Sequence, residues 1–345
     1  RDPLWSRGLG DVYKRQITDK RALKLVHDFD GATIHVVRSA TIKGKNPKAL
    51  IKTLSSLILG AWQSYRIIRK IKPDVVGGFG GYPTLPPMVV ATSLIGKAMR
   101  VKSFIHEQNA IMGRANKFLS SRVDAIAAGF LEKTAKLAPK FVETGNPVRK
   151  EILKYSSFLY KLPNERGFFN LLVFGGSQGA SFFSKIMPQA LAILDISYRK
   201  RLKLVQQSRN DSFELQKQYE KLSINAQIAP FFIDLAEKMA EAHFIISRSG
   251  ASTVSEISVI GRPALLVPYP HAIDNDQEKN ASYLVNCGAG LIYQQKNLTP
   301  EILASIIKDM MDNPKKLLDQ AKVTKKAGKP NATQELAKLV EDLIK

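Results

Sequence analysis

The sequence predicts an α/β protein of two similar domains, each a parallel sheet flanked by helices. Three observations carry that prediction. Apolar runs of strand length alternate with stretches of helical spacing along most of the chain, as in successive βαβ units. Two separate stretches, from residue 74 to 109 and from 243 to 270, follow one plan of strand, Gly loop, helix, Gly stop and strand. The chain has 345 residues, 44% of them hydrophobic, which is too long for one ordinary domain and enough for two cores.

The stretch from His243 to Pro270 is the clearest unit. Residues 244–247 read as a buried strand, 248–252 as a tight turn of small residues, and 253–260 as a helix with Val254 and Ile257 inward. Gly261 ends the helix and Pro263 forbids its continuation. Residues 264–268 form the next strand. The helix N-terminus then faces the carboxyl end of the sheet, where open α/β folds bind ligands and free N–H groups favour an anion. Glu256 lies one turn inside, within reach of a ligand hydroxyl. Thr253-x-x-Glu256 also fits a capping box, in which the carboxylate only satisfies backbone donors.

Taken in order, residues 1–16 (RDPLWSRGLGDVYKRQ) show neither period 2 nor period 3.6. They resemble translated adapter sequence joined to an incomplete gene, and are set aside as a non-native stretch. From Ile17 the chain reads as the end of a strand entering a helix, with a further strand at 32–37. Pro47 precedes a long helix, 49–71, whose apolar residues cover more than one stripe. Leu59 and Trp62, near Arg66, Arg69 and Lys70, suit a membrane interface; a plain core helix is the alternative. A strand at 74–79 leads to the loop Gly80-Gly81-Tyr82-Pro83-Thr84 and a helix at 85–95 capped by Gly96. The strand at 100–105 ends in His106-Glu107-Gln108-Asn109. A helix at 116–121, strands at 125–128 and 141–144, and Gly145-Asn146-Pro147-Val148-Arg149 complete the first domain, 17–156. Residues 157–168 read as a linker. The second domain, 169–331, opens with a strand at 171–174 and the Gly loop 175–180. It continues with strands at 203–206, 226–229, 244–247, 264–268 and 291–293, and helices at 234–241 and 300–311. Asn331 caps a closing helix, 332–344.

Charge is unevenly spread. Residues 1–150 hold 27 Lys and Arg against 10 Asp and Glu, so +17 of the net +22 lies there. A basic half suits a polyanionic partner: a nucleic acid, an anionic lipid surface or a phosphorylated substrate. The single cysteine, Cys287, excludes an intramolecular disulfide and suits a reducing compartment. No run of about 18 apolar residues is present, so no spanning helix is expected.

The individual motifs point to a nucleotide and a sugar. The run 175–180, GGSQGA, is not a P-loop, because no Gly-Lys-Ser/Thr follows. It is a poor dinucleotide fingerprint, because the next strand ends in Gln206-Gln207 where an acidic residue is wanted. What remains is an anion cradle for a nucleotide diphosphate, or a turn needed only for close packing. Asp274-Asn275-Asp276-Gln277-Glu278-Lys279-Asn280 is dense in groups that accept from sugar hydroxyls, although such a cluster can also be a solvated helix start. His106 and Glu107 are adjacent, so on a strand they face opposite ways. No metal-ligand spacing and no nucleophile elbow occur.

GGYPTLPPMVVA, IHEQNAIMGRANK, TGNPVRKEI, FGGSQGA, RSGASTVSE and PALLVPYPHAIDNDQEKNA together resemble the MurG family, the N-acetylglucosaminyltransferases that convert lipid I to lipid II in peptidoglycan synthesis. The motifs fall in the family's order and run from Ile17 to the C-terminus. The resemblance implies a GT-B fold, two Rossmann-like domains facing across a cleft, with the closing helix returning to the first domain. It implies UDP-GlcNAc as donor, lipid I as acceptor, no obligatory cofactor or metal, and a peripheral place on the cytoplasmic face of the bacterial cell membrane. Other cell-wall synthesis proteins are implied as partners.

Carried over by position, the resemblance gives Ser177 the diphosphate and the Ile233 backbone the uracil. Ala251, Ser252 and Thr253 line the nucleotide, Glu256 takes the ribose hydroxyls and Gln277 the GlcNAc hydroxyls. Asn109 and Arg149 complete the donor site from the first domain. Gly80, Gly81, Tyr82, His106 and Glu107 lie on the acceptor side. The family's opening Gly loop, with a His as candidate base, has no counterpart here, which leaves His106 or Glu107 as base and implies weak turnover. The resemblance implies a single inverting displacement in which the muramyl C4 hydroxyl attacks C1 of GlcNAc and UDP leaves. The rival enzyme reading is a UDP-GlcNAc 2-epimerase of the same fold, which needs no membrane face. The rival of another class is a basic nucleic-acid-binding protein, for which no module or stacking platform is present.

Overall fold

A computed structural model describes residues 15–19, 33–40, 47–164, 167–209 and 212–345, with the backbone alone at 15, 47–50, 176–180 and 273. Residues 1–14 of the foreign-looking stretch, and the helix expected after Ile17, lie outside the described residues. The chain divides into two compact units, one of residues 1–146 with 331–345 and one of residues 147–330. The change of unit at Pro147 comes before the linker expected at 157–168. It places Arg149 in the second unit, where the sequence reading had it in the first domain.

In the first unit, β1 (Arg15–Thr18) pairs in parallel with β2 (Thr33–Val36), Ile17 opposite His35. Arg15 and Gln16, set aside with the foreign-looking stretch, therefore belong to a sheet. A second parallel sheet runs in chain order through β3 (Val75–Gly78), β4 (Lys102–Glu107), β5 (Ala125–Ala128) and β6 (Phe141–Glu143). β4 buries every residue but Lys102 and β5 buries all four, because both faces of the sheet are covered. Side chains alternate between the faces. Ile105 and Ile126 pack with Met88, Leu119 and Val123 on one side. Phe104, Ala125 and Ala127 meet Leu336, Leu339, Val340 and Leu343 of the helix Ala332–Ile344 on the other. Asn331 holds that helix's N-cap position but makes no side-chain capping bond.

Two expectations change locally. The helix expected at 85–95 is two, Leu85–Ala91 and Leu94–Ala98. Thr92 Oγ1 donates back to the Met88 carbonyl and Ser93 caps the second helix through the Gly96 N–H, so Gly96 lies inside a helix rather than ending one. β4 continues past Ile105 to take in His106 and Glu107, which buries both.

The second unit holds β7 (Phe169–Phe174), β8 (Leu202–Gln207), β9 (Asn225–Ala229), β10 (Phe244–Ser247), β11 (Ala264–Leu266) and β12 (Gly290–Ile292). All pairs are parallel, in the order β12-β11-β10-β7-β8-β9. β7 is thus flanked by β8 on one side and β10 on the other. The strand order reverses there, and open α/β folds bind ligands at the carboxyl ends of the strands at such a point. On one face of the sheet Phe169, Leu171, Phe244 and Ile246 cluster with Phe183 and residues of the helix Pro300–Asp312, and on the other Leu172, Ile245 and Leu266 are equally buried. The helix Ala251–Ile260 ends where Gly261 turns left-handed, φ 75°, as its sequence predicted.

Candidate functional site

The register of β7 on β10 sets Phe174 opposite Ser247, so the loops that follow the two strands lie side by side. Each opens a helix at once. Gly175 is the N-cap of the helix Gly176–Ile193, and Gly250 that of Ala251–Ile260. Residues 177–180 are therefore the first helical turn rather than a loop, which still presents N–H groups to an anion. The side chain of Ser177 lies outside the described residues. Since Gly250 is the cap, Thr253 is the third helical residue, and the capping-box reading of Glu256 is overturned.

Glu256 has a different partner. Its side chain is 10% exposed, and both oxygens accept from Arg149: Nε to Oε1 at 2.7 Å and Nη2 to Oε2 at 2.8 Å. This is the parallel two-bond geometry of guanidinium on carboxylate. The bonds to Glu256 raise the Arg149 guanidinium above its ordinary value.

In the turn after β10, Arg248 is buried without a carboxylate partner among the described residues. Its Nη1 donates to the carbonyls of Val267 and Pro268, each at 3.1 Å, and its Nη2 to Gln295 Oε1. The rings of Phe182, Phe183 and Tyr269 surround it. Burial pushes this arginine down to about 10. Arg248 thereby fixes the backbone that leads into the 268–277 loop. In that loop the Tyr269 N–H donates to Gln277 Oε1 at 2.9 Å, which orients the amide and leaves its NH2 as the donor end. Asp274 and Asn275 both turn left-handed, φ 56°, before the helix Asp276–Val285, and Asn280 Nδ2 ties that helix to the Ser249 carbonyl. Ile233 is 91% exposed after β9, Ser252 is exposed, and Ala251 and Thr253 are half-buried. Sequence reasoning passed over Arg248, although an arginine directly after an apolar strand, in a turn of small residues, was a signal.

In the first unit the carboxyl end of β4 is built around Glu107, which is 2% exposed. Its Oε1 accepts from the Asn109 backbone N–H and side-chain amide at 3.1 and 3.3 Å. Its Oε2 accepts from the Gly113 N–H at 2.9 Å and Asn116 Nδ2 at 2.8 Å. His106 Nε2 lies 3.0 Å from the Gly145 carbonyl, which can only accept, so Nε2 carries the proton and Nδ1 accepts from Gln108 at 3.1 Å. Burial lowers its basicity. The polar atoms of both candidate bases are thus engaged within the protein. Gly80 and Gly81, at φ 79° and 74°, form the neighbouring turn; Gly80 abuts the Asn116 amide, and half-buried Tyr82 follows. The structure gathers Gly80, Gly81, Tyr82, His106, Glu107 and Asn109 at one sheet end, and Arg149, Ile233, Ala251, Ser252, Thr253, Glu256 and Gln277 in the other unit.

The helix Pro47–Ile71 shows an exposed apolar stripe of Ile51, Leu54, Ile58 and Trp62. Leu59, expected on that face, is instead half-buried. Arg66 stacks on Trp62 at 4.9 Å, and Arg69 donates to the Tyr65 hydroxyl. Among the described residues no helix is long and apolar enough to cross a membrane, and no cluster of three or more His, Cys, Asp or Glu could hold a metal.

Comparison with known proteins gives the family. Residues 14–128 match the glycosyltransferase family 28 N-terminal domain and residues 170–336 its C-terminal domain. A UDP-N-acetylglucosamine–N-acetylmuramyl-(pentapeptide) pyrophosphoryl-undecaprenol N-acetylglucosamine transferase from Bartonella tribocorum is 50% identical over 328 residues, 95% of this chain and 85% of the relative. The protein of the same name from Brucella canis is 50% identical over 326 residues, 94% of this chain and 85% of the relative. The chain belongs to the MurG family. The crystal structure of Acinetobacter baumannii MurG aligns over 98% of this chain and 92% of its own, with a TM-score of 0.77 and 27% identity. This places the MurG-family fold of the chain in the GT-B class. A putative UDP-N-acetylglucosamine 2-epimerase from Listeria monocytogenes aligns at a TM-score of 0.61 with 13% identity over 96% of both chains, a likeness of fold alone.

Proposed function

We propose that this chain transfers N-acetylglucosamine from UDP-N-acetylglucosamine to the C4 hydroxyl of the muramyl sugar of a polyprenyl-linked acceptor, lipid I, giving lipid II and UDP. The observation that carries this reading is the 50% identity over 95% of the chain to a transferase of that name. The geometry of the second unit fits it. The two helix N-termini that follow β7 and β10 suit a diphosphate and the extra charge it gains as UDP leaves. Ser177 is assigned to that diphosphate, the Ile233 backbone to the uracil, and Ala251, Ser252 and Thr253 to the nucleotide. Glu256 is assigned to the ribose diol, and Gln277, through its NH2, to the GlcNAc hydroxyls. His106 and Glu107 are reassigned. Their polar atoms are engaged, so they build the acceptor-side loop that carries Asn109 rather than take the hydroxyl proton.

The exposed stripe Ile51, Leu54, Ile58 and Trp62, flanked by Lys52, Arg66, Arg69 and Lys70, is assigned to peripheral contact with an anionic membrane surface at the cytoplasmic face. Incubation with UDP-GlcNAc and lipid I, with mass analysis of both products, tests the function. Lipid II and UDP are expected. Epimerised sugar nucleotide from UDP-GlcNAc alone, without any lipid product, would overturn the proposal in favour of the epimerase reading.

A further inference from the structure

The amide assigned to the sugar takes its orientation from a single peptide, and that peptide is held from its other side. Gln277 Oε1 accepts from the Tyr269 N–H at 2.9 Å, and its NH2 has no partner among the described residues. The carbonyl of the same peptide belongs to Pro268 and accepts from Arg248 Nη1 at 3.1 Å. The peptide is trans, so its C=O and N–H point in opposite directions within one plane. Whatever fixes the carbonyl therefore fixes the N–H. Arg248 is itself firmly seated. It is 6% exposed, its Nη1 also holds the Val267 carbonyl, and its Nη2 donates to Gln295 Oε1 at 2.6 Å. Its Nε is sealed from solvent. Most of the guanidinium is thus engaged within the protein or closed off from a ligand. A charged donor on the carbonyl also polarises the peptide and strengthens the bond that its N–H makes.

We infer that Arg248 is a positioning residue for sugar recognition: by holding the Pro268–Tyr269 peptide it keeps the Gln277 amide in place, with its NH2 outward to the sugar of the donor. The inference rests on the assignment of Gln277 to the GlcNAc hydroxyls and adds the residue that orders it. A peptide released by Arg248 is free to turn over about its flanking bonds. It would then show Gln277 a carbonyl in place of an N–H, and the amide would lose its anchor. A Gln side chain has three rotatable bonds, and fixing it beforehand removes an ordering cost that binding would otherwise bear. Lysine at position 248 keeps the charge but cannot span two carbonyls and Gln295 in the fixed fork of a guanidinium. Arg248 therefore acts on the sugar through a peptide plane and not by contact.

The test measures the dissociation constants of UDP and UDP-GlcNAc by titration calorimetry on the full chain. Gln277→Ala should weaken UDP-GlcNAc about three- to tenfold, the scale of a neutral hydrogen bond, and leave UDP unchanged. Arg248→Lys and Arg248→Met should do the same, and adding Gln277→Ala to either should remove no further sugar affinity. Hydrogen exchange at the Tyr269 amide should quicken in each folded Arg248 variant. Thermal midpoints establish which variants are folded at the assay temperature. Gln295→Met, which removes only the Nη2 acceptor at a half-buried position, is the milder variant; it should weaken UDP-GlcNAc in the same sense, and it decides the question if neither Arg248 variant folds. A folded Arg248 variant that weakens UDP as much as UDP-GlcNAc would show that the guanidinium serves the nucleotide. One that leaves both unchanged would show that it serves stability alone. In either case the inference fails and the donor reading stands. If Gln277→Ala leaves UDP-GlcNAc binding unchanged, the assignment of Gln277 to the sugar fails and the inference with it. If the unaltered chain binds no UDP-GlcNAc, the donor reading itself falls.

Discussion

Replacing Glu107 by Gln separates an anchoring carboxylate from a catalytic one. The carboxylate is buried and accepts from four N–H groups, two on each oxygen. Gln keeps one acceptor oxygen, which can still serve Asn109. Its NH2 must then face the Gly113 N–H and Asn116 Nδ2, donor against donor. Two bonds to a charged acceptor are lost, each worth ~1.5–3 kcal/mol. Asn116 can turn its amide to relieve one clash, but then forfeits its 3.1 Å bond to the His106 carbonyl. The net loss should be about 3 kcal/mol, taking the lower end for each bond. For a unit of this size that lowers the thermal midpoint by roughly 6–12 °C. Calorimetry and urea denaturation measure it directly. A loss below about 0.5 kcal/mol, the range of an ordinary surface change, would refute the anchoring argument. Unchanged stability with a collapse of turnover would restore Glu107 as the base.

Two further outcomes follow from burial. Ile51→Glu with Ile58→Glu should reduce binding to anionic vesicles while leaving the thermal midpoint almost unchanged, since both residues are more than 60% exposed. Leu59→Glu should instead destabilise the first unit; equal vesicle binding by the double variant, or a harmless Leu59→Glu, would show the wrong face was chosen. His243 accepts the Asn170 N–H on Nδ1 and is held down to about 4 by burial and by Arg262. Between about pH 6.5 and pH 4 the unfolded chain therefore binds a proton that the folded chain refuses. Stability should fall as pH falls through that window, by up to about 1.4 kcal/mol per pH unit for a full proton and less for this partly exposed ring. His243→Asn, which keeps an acceptor near Nδ1, should flatten the slope between pH 7 and 5, and an unaltered slope would mean that other groups set it.

The order of strand, turn and helix was legible along the chain because its causes are local. Apolar runs of strand length, the small-residue turns after β7 and β10, and Gly261 followed by Pro263 act within a few residues of themselves. Hence the strand at 244–247 and the end of its helix were placed correctly from sequence. Boundaries that depend on a single hydrogen bond were not: Thr92 and Ser93 split one expected helix into two. Local signals also failed to say which apolar residues of the helix Pro47–Ile71 meet solvent. The residues are apolar on more than one side, and only packing against the helix Leu85–Ala91 selects Ile51, Leu54 and Ile58 over Leu59 as the open face.

Function at the level of family was carried by sequence alone, because motifs for a nucleotide diphosphate and a sugar are short and fall in a set order. The partners of the charged residues were decided by tertiary structure. From spacing, Glu256 was equally a cap or a ligand group, and Glu107 was a candidate base. The fold gives Glu256 to an arginine 107 residues away and surrounds Glu107 with donors from the turn beyond β4. The reason is physical. A turn or a helix stop is set by the conformational preferences of adjacent residues. The protonation and orientation of a buried carboxylate are set by whichever donors the closed chain brings to it, and those are fixed only once the strands have paired.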